Sequence, residues 1–373
     1  MNDNYHKLKI AFLTCADCVH AGRWANAMAE RGHDVSVITC ANHMPIKIIY
    51  NKAVKIVSLK YKTPWGYFLN ANQVKKIIRN EKFDIVNVHY AGGYGTLGRM
   101  ARLKQALLNI WGSDVYDVPN ENFIKRIIVK RNLNYFKYIA STSFCMAKEA
   151  KKLADRDYYI TPFGVNTKLF YPRSEFKNEN EFIFGTVKSL EAKYGIADTI
   201  KAFAKLYKRL VNEQEQIADK IFYRIYGEGS QREELQDLIK QCGMTQKITL
   251  CGFVENSKLP SVINGFDIFC CNSVMDSESF GVAAVEAMAC GIPVIASDAD
   301  GFKEVIEDGI TGILVPKGDI DAIAESMYKL MHNDKLRKQM GQAGVQHVKK
   351  LYDWDNNVNN MEEIYYKMIE KKL

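Results

Sequence analysis

The most constraining stretch of this chain lies at residues 278–296, where a loop, a helix and a strand follow one another without interruption. Small and apolar residues fill positions 281–290, a length typical of a helix, and the Gly-Ile-Pro triplet that follows predicts the helix end. Ser277 and Ser279 are candidate N-caps. The β-branched run at 292–296 predicts a strand buried on both faces, as in parallel sheets. An α/β protein is therefore expected.

Two carboxylates accompany this helix, with Glu278 at its mouth and Glu286 inside it. The first turn, from Phe280 to Val282, presents backbone N–H groups and the positive end of the helix dipole. Gly281 allows a ligand to approach the backbone closely. These features predict an anion-binding site, although an ordinary strand-to-helix turn of an α/β protein explains the same residues equally well.

The phrase at 278–293, Glu-Ser-Phe-Gly, four residues, then Glu-Ala-Met-Ala-Cys-Gly-Ile-Pro, resembles the paired-glutamate motif of glycosyltransferase family 4. The resemblance is strong over 182–316 and weak over 47–79 and 120–137. It implies a retaining enzyme that uses nucleotide-sugar donors. It also implies the GT-B fold, in which two Rossmann-like domains face a central cleft and the C-terminal helix crosses back to the first domain.

The length of 373 residues supports two domains, because one core rarely exceeds about 250–300 residues. We predict an N-terminal Rossmann-like acceptor-binding domain over 1–170 and a C-terminal nucleotide-sugar-binding domain over 171–373, with a last helix near 355–372 that packs on the first domain. No apolar run approaches the roughly 18 residues of a membrane span, and the chain start has too short an apolar core for a signal peptide. A cytoplasmic protein is expected, and its nine cysteines are expected to be free thiols.

Charge is distributed unevenly along the chain. Residues 1–170 contain 26 Lys and Arg against 12 Asp and Glu, a formal charge of +14, whereas the remainder carries −6. A basic half predicts an anionic partner. Because the chain has no recognised nucleic-acid module and no single basic block, we expect an anionic membrane surface or a lipid acceptor and no nucleic acid. The basic amphipathic segment at 120–138 suits a membrane surface, but a solvated face over a core stripe explains it equally well.

The chain opens with strand 8–14, helix 22–31 and strand 34–40, a Rossmann-like start. It lacks the GxGxxG fingerprint, so NAD binding is disfavoured. Ala21 and Gly22 resemble a Gly-Gly pair of the family, and the resemblance implies a donor contact at Gly22.

His89 ends a predicted strand at 83–90, on the sheet edge where α/β proteins bind ligands. From spacing alone, a structural histidine is the commoner case. The resemblance implies a position near the donor sugar, for orientation or for catalysis. A helix is predicted over 96–104. Asp114, after a strand at 106–112, is interpreted as a helix cap in preference to an acceptor contact.

In the second half, strand 182–187 leads into a loop that contains Lys188 and Lys193. Such lysines are usually solvated charges. Their spacing resembles the Arg-x-Leu-x-x-Lys phrase of the family, with Lys188 in place of the arginine, so a point charge replaces a bidentate fork. The resemblance implies that both bind the donor and that Val254, after the strand at 247–251, lies by the nucleotide base.

The predicted site has a catalytic and a donor-binding set. The catalytic residues are Glu278, His89 and Lys193, and the donor-binding residues are Lys188, Lys193, Phe280, Gly281, Val282, Glu286, Val254 and Gly22. Asp298-Ala-Asp300 has the form of a divalent-metal motif of the other major glycosyltransferase fold, but its position favours helix capping. We expect no metal and no cofactor.

The resemblance implies transfer of a hexose or N-acetylhexosamine from a nucleotide-diphosphate sugar to a glycan or lipid-linked acceptor in surface polysaccharide or glycolipid synthesis. A UDP-sugar is favoured over a GDP-sugar. Two alternatives stay open. One is a GT-B epimerase or phosphorylase, which would need no basic acceptor half, and the other is a non-catalytic sugar-nucleotide-binding scaffold.

Overall fold

The computed structural model describes residues 6–371, which form two compact units. The first unit comprises Met1–Phe163 with Asp355–Leu373, and the second comprises Gly164–Trp354. Each is built on one parallel sheet, with seven strands in the first and six in the second across the described residues. The prediction of two α/β domains is confirmed.

The strands of the first unit are β1 Lys9–Leu13, β2 Asp34–Thr39, β3 Lys55–Ser58, β4 Ile85–His89, β5 Leu107–Ile110, β6 Tyr138–Ser141 and β7 Tyr159–Ile160. Its helices before the second unit are α1 Val19–Glu30, α2 Gly66–Leu69, α3 Ala71–Glu81, α4 Gly93–Met100, α5 Ser113–Tyr116, α6 Val118–Glu121, α7 Phe123–Tyr135 and α8 Phe144–Lys151. The strand order is β3-β2-β1-β4-β5-β6-β7, and every pairing is parallel.

The centre of this sheet is buried and largely apolar. In β1, Ile10 pairs in register with Val35 of β2 and with Ile85 of β4, and all three are fully buried. Parallel strands of this kind are nearly continuous apolar runs. Because every pairing is parallel, the carboxyl ends of all strands lie on one edge of the sheet, the edge at which α/β proteins bind ligands.

The strands of the second unit are β8 Phe182–Val187, β9 Ile221–Tyr226, β10 Ile248–Gly252, β11 Ile268–Cys271, β12 Val294–Ser297 and β13 Gly312–Val315. Its helices are α9 Ile196–Asn212, α10 Arg232–Gln241, α11 Leu259–Asn264, α12 Val282–Ala289, α13 Asp300–Val305, α14 Ile320–Met331 and α15 Asp334–Leu351. The strand order is β10-β9-β8-β11-β12-β13, again wholly parallel.

An aromatic cluster fixes the core on one face of this second sheet. Phe184 of β8 meets Phe203 of α9 edge to face at 5.7 Å, and Phe203 lies 5.8 Å from the ring of Tyr223 on β9. All three rings are fully buried. Tyr223 hydrogen-bonds to Thr186 at 2.7 Å, so its hydroxyl is satisfied inside the core.

The last helix, α16 Trp354–Glu370, packs in the first unit although it follows the second in sequence. Its Glu362 contacts Arg31 at 2.6 Å and His33 at 2.8 Å, and the Tyr365 hydroxyl accepts a 2.6 Å hydrogen bond from Asn87. The predicted crossing back of the C-terminal helix is confirmed. Residue 372, the predicted helix end, lies outside the described part of the chain.

Two helices differ from their predictions, and a third distinguishes between two interpretations. Helix α1 starts three residues before the predicted Gly22, and α4 ends at Met100, four residues before the predicted end. Helix α7 turns Val129 and Leu133 into the core and leaves its basic residues largely in solvent. The core-stripe interpretation of this segment is therefore correct for its middle and end, while its first turn exposes apolar side chains.

Candidate active site

The loop after β8 contains both predicted lysines, Lys188 and Lys193, and two neighbouring strand ends hold its backbone. The Lys188 N–H donates to the Tyr226 carbonyl at 2.9 Å, and the Lys193 carbonyl accepts from the Val274 N–H at 2.9 Å. Gly227, with φ of +147°, makes the first contact achievable, since a Cβ there would lie 1.9 Å from the Lys188 oxygen. The loop is thus fixed at the carboxyl edge of the second sheet.

Lys188 forms an ion pair with Glu278. Its Nζ lies 2.5 Å from the Glu278 Oε2, which also accepts a 3.2 Å hydrogen bond from Ser273. Burial would lower the pKa of Lys188, but the Glu278 carboxylate outweighs burial and the pKa is raised. Nζ atoms of Lys188 and Lys193 lie 4.4 Å and 5.2 Å from the Tyr194 ring. The structure therefore brings two cations and one of the paired glutamates together.

Helix α12 begins at Val282, and its N-cap is Gly281 in a left-handed conformation with φ of +81°. A Cβ at Gly281 would lie 2.7 Å from the Phe302 ring, so the position requires glycine. The predicted capping by Ser277 or Ser279 is wrong. Gly281 offers no capping side chain, so the first N–H groups of the helix can receive an external anion.

Glu286 shares the accessible face of this helix with Val282 and Ala283, since residues three and four apart lie on the same side. The buried residues of α12 are Ala284, Val285, Ala287, Met288 and Ala289. The second glutamate of the pair thus lies on the face that also presents the start of the helix. Phe280, the remaining predicted donor contact here, is buried with 3% exposure.

The Asp-x-Asp motif has structural partners. Asp298 Oδ1 accepts the Lys317 backbone N–H at 3.0 Å, and Asp300 forms a 3.0 Å ion pair with Lys303. The N-cap of α13 is Ala299, without a side-chain capping bond, so the capping interpretation is wrong.

The residues around this motif support the Glu278 loop. The Gly301 N–H donates to the Glu278 carbonyl at 3.0 Å, and Asp276 accepts the Asp300 N–H at 3.2 Å. Across residues 6–371, no group of three or more His, Cys, Asp or Glu has the arrangement of a metal site.

Val254 lies in the loop after β10 and is half-buried, next to Phe253, which is 74% exposed. The loop leaves the strand through Gly252, whose φ is +80°. A role of Val254 at the nucleotide base stays a prediction.

In the first unit, His89 ends β4 and is 1% exposed. Its Nδ1 lies 3.2 Å from the Thr14 hydroxyl, and its ring centroid is 4.3 Å from that of Trp111. Nε2 is buried and has no hydrogen-bond partner among residues 6–371. Burial, and secondarily the neighbouring His20, lowers the pKa of His89 to about 3, so the imidazole is neutral at physiological pH.

A second histidine, His20, was not among the predicted site residues. It lies in the first turn of α1, stacks on Phe163 at 3.8 Å and meets Trp111 edge to face at 5.9 Å. Its Nδ1 is also buried, with no hydrogen-bond partner in the described part of the chain, and burial lowers its pKa to about 3. The available signal was a histidine directly after the loop that leaves the first strand. Two neutral imidazoles therefore contact one indole.

Gly22 lies inside α1, where its N–H donates to the Cys18 carbonyl at 3.0 Å. A Cβ there would lie 2.4 Å from Ile48 Cγ2, so helix-to-loop packing explains this glycine. Its proposed donor contact stays a prediction.

Asp114 is fully buried and does not cap a helix. It accepts hydrogen bonds from the N–H groups of Ala91, Trp111 and Gly112 at 2.8, 3.0 and 2.9 Å, and the N-cap of α5 is Gly112. Burial raises its pKa to about 6. The interpretation as a cap is therefore wrong, and the carboxylate instead joins the turns after β4 and β5.

Two parallel α/β units, with an ion pair and an uncapped helix start at the strand ends of the second, define a protein of the GT-B architecture. The chain resembles the solved structure of Anabaena HepE in complex with UDP-glucose, with a TM-score of 0.77 and 16% identity, covering 96% of this chain and all of that one.

Sequence comparison gives the family. The model for glycosyl transferases group 1 matches residues 168–347, and the glycosyl transferase 4-like model matches residues 9–143. The chain is 22% identical over 388 aligned positions to N-acetyl-alpha-D-glucosaminyl L-malate synthase of Bacillus anthracis, covering 97% of this chain and 98% of the relative. It is 25% identical to phosphatidyl-myo-inositol mannosyltransferase of Mycolicibacterium smegmatis, covering 90% of this chain and 86% of the relative. The chain belongs to the family 4-like glycosyltransferases.

Proposed function

We propose that this chain transfers a hexose or N-acetylhexosamine from a UDP-sugar to a glycan or lipid-linked acceptor, without a metal and with retention at the anomeric carbon. The ion pair of Lys188 with Glu278, beside the uncapped start of α12, carries this proposal. UDP-glucose in the HepE complex favours uridine over guanosine. The name of one bacterial relative, phosphatidyl-myo-inositol mannosyltransferase, supports a lipid acceptor.

The leaving pyrophosphate gains charge as the sugar bond breaks, and a donor site must neutralise it. Lys188, Lys193 and the first N–H groups of α12 would supply this positive potential. Because Glu278 already neutralises Lys188, a bound diphosphate would share that ammonium, and Glu278 would turn toward hydroxyls of the sugar. Glu286, on the accessible face of α12, would accept hydrogen bonds from the ribose.

His89 is proposed to orient the donor and not to transfer a proton. A group with a pKa of about 3 stays neutral through the physiological range and is a poor match for general acid–base work near pH 7. Its ring would therefore act as a hydrogen-bonding partner.

The acceptor is proposed to bind to the first unit, and the protein to work in the cytoplasm at the inner face of a membrane. No helix within residues 6–371 combines the length and apolar character needed to cross a bilayer. The net positive charge of residues 1–170 supports attraction to an anionic surface.

The test is thermal unfolding with UDP, GDP, ADP or NAD in excess EDTA. A ligand at 100 times its dissociation constant stabilises the protein by about 2.7 kcal/mol. Stabilisation by UDP alone is the expected result, and equal responses to all four would contradict the donor assignment. Glu286→Ala should weaken the UDP response, whereas Glu278→Ala should keep it and abolish sugar transfer. Glu233→Ala, on the exposed side of α10, is the matched control.

A further inference from the structure

Two segments of the first unit, the second of which ends in α2, expose large apolar side chains, and we call them the rim segments: residues 44–50 and 60–69. Ile46 and Ile49 are 84% and 88% exposed, and Trp65 and Leu69 are 72% and 57% exposed. Isolated exposed apolar residues are ordinary, but a concentrated group marks an interaction surface.

The exposed side chains are held outward by ordered backbone. Asp17 accepts the N–H groups of Ile46 and Lys47 at 2.8 Å each, and Asn26 donates to the Ile49 carbonyl at 2.9 Å. Segment 44–50 is therefore docked through its main chain on α1 and on the loop before it. The isoleucine side chains face solvent as a consequence of this docking.

The second rim segment is joined to the residues that directly precede the first. Asn42 Nδ2 donates to the Thr63 hydroxyl at 2.8 Å, and Asn42 Oδ1 accepts the Thr63 N–H at 2.9 Å. Both segments follow carboxyl ends of neighbouring parallel strands, β2 and β3. They thus share the sheet edge at which His89 ends β4.

The charge around the rim segments identifies the partner. Residues 35–80 contain eight Lys or Arg and no Asp or Glu, and all eight basic residues are exposed. Lys47, Lys60 and Lys62 lie within the rim segments themselves. Apolar side chains that stand out among cations match a surface with anionic headgroups over an acyl interior.

We propose that the rim segments dock this protein on an anionic lipid bilayer, with Ile46, Ile49 and Trp65 entering the interface and the lysines contacting headgroups. The inference deepens the proposed function and rests on it for its purpose, which is to bring the acceptor-binding edge to lipid-linked acceptors. The docking itself needs no donor.

The start of α7 offers a rival surface, because Phe123 and Ile124 are 74% and 69% exposed beside basic residues. There, however, Glu121 pairs with Lys125, and later apolar residues of the helix enter the core. The rim segments contain no acidic residue of their own, and Asp17, which contacts the first of them, is engaged by two backbone N–H groups, so they fit an anionic surface better.

The experiment is co-sedimentation of the full chain with vesicles of phosphatidylcholine alone or mixed equally with phosphatidylglycerol, without sugar nucleotide. We expect binding to the mixed vesicles only. Ile46→Ser/Ile49→Ser should weaken it at least about tenfold, because two apolar side chains no longer insert. Lys60→Gln/Lys62→Gln should weaken it and reduce its salt dependence. Ile310→Ser, which changes a 56% exposed isoleucine of the second unit, is the control and should bind as the parent does.

Thermal unfolding and the UDP response of each variant separate docking from folding and from donor binding. Unchanged vesicle binding by both rim variants would overturn the proposal. It would also be overturned if Phe123→Ser/Ile124→Ser lost vesicle binding while the rim variants still bound vesicles. Vesicle binding without any sugar transfer would instead contradict the proposed function and leave the docking surface intact.

Discussion

The second unit's strand ends hold an ion pair, Lys188 with Glu278, whereas those of the first unit hold two neutral imidazoles, His20 and His89, against Trp111. Both regions lie at carboxyl edges of parallel sheets, so topology alone does not distinguish them. Burial affects them differently. A carboxylate partner keeps Lys188 charged, while the histidines lack an anion and lose their charge. The charged region suits a diphosphate, and the neutral one suits hydroxyl groups.

The largest expected effect tests the charged region. Lys188→Ala should reduce sugar transfer on the order of 100- to 1,000-fold, the typical cost of removing one group that stabilises developing charge. The release rate of UDP from the sugar donor measures it. Lys240→Ala, which removes an exposed lysine paired with Asp237 on α10, should leave the rate unchanged. If Lys188→Ala transferred sugar at the parental rate, the charge of Lys188 would not contribute to the reaction, and the two regions would not differ in this function.

An intermediate effect tests how the neutral region is held. Asp114→Asn replaces a carboxylate that accepts three backbone N–H groups with a side chain that has one acceptor oxygen. The free energy of unfolding should fall by about 1–3 kcal/mol, as urea denaturation would measure. Asp157→Asn, at an exposed position of the same unit, is the control. Equal stability of the two variants would show that the turns do not depend on Asp114.

The smallest effect is a pH dependence. His20 and His89 have a pKa of about 3 in the folded chain, and an unfolded histidine titrates near 6.5. Between these values the unfolded state binds the protons, so their contribution to stability is complete above pH 6.5 and is lost as pH falls toward 3. Each histidine changes the free energy of unfolding by up to about 1.4 kcal/mol per pH unit. Asp114, with its pKa raised to about 6, has the opposite effect: between about pH 6 and 4 the folded state binds its proton, so its contribution to stability rises as pH falls.

Urea midpoints followed by tryptophan fluorescence from pH 7 to 5 measure this slope. His89→Gln should make it shallower, whereas His6→Gln, at an exposed position, should not change it. A slope that survives both His89→Gln and His20→Gln would mean that the pair is not neutral in the folded protein.

Local patterns were enough to predict several strands of each sheet and the paired-glutamate helix, whereas β3, β6, β7 and β13 were not predicted. Strands such as β1 and β8 are short apolar runs whose burial follows from parallel pairing. The grouping of Lys188 with Glu278 came from a family phrase, and the structure brings the two within 2.5 Å. Neither residue could have been assigned to an ion pair from spacing, since 90 positions separate them.

Errors arose where distant parts of the chain decide a local feature. Ser279 looked like a cap, but the Phe302 ring packs against Gly281, which takes the left-handed N-cap position. Asp114 also looked like a cap, although Ala91, 23 residues earlier, supplies one of its hydrogen bonds. For His20 the only local signal was its place after the loop that leaves the first strand, because its neighbours Trp111 and Phe163 follow other strands.

Because α16 returns to the first unit, translation completes the residues of the second unit before those of the first. A ribosome releases residues 164–354 before it completes this helix, so the whole second unit is available to fold while the first still lacks the partners of Asn87 and His33. The chain therefore begins one domain, completes another and only then closes the first. Shortening the chain by its last helix would damage the half that was translated earliest.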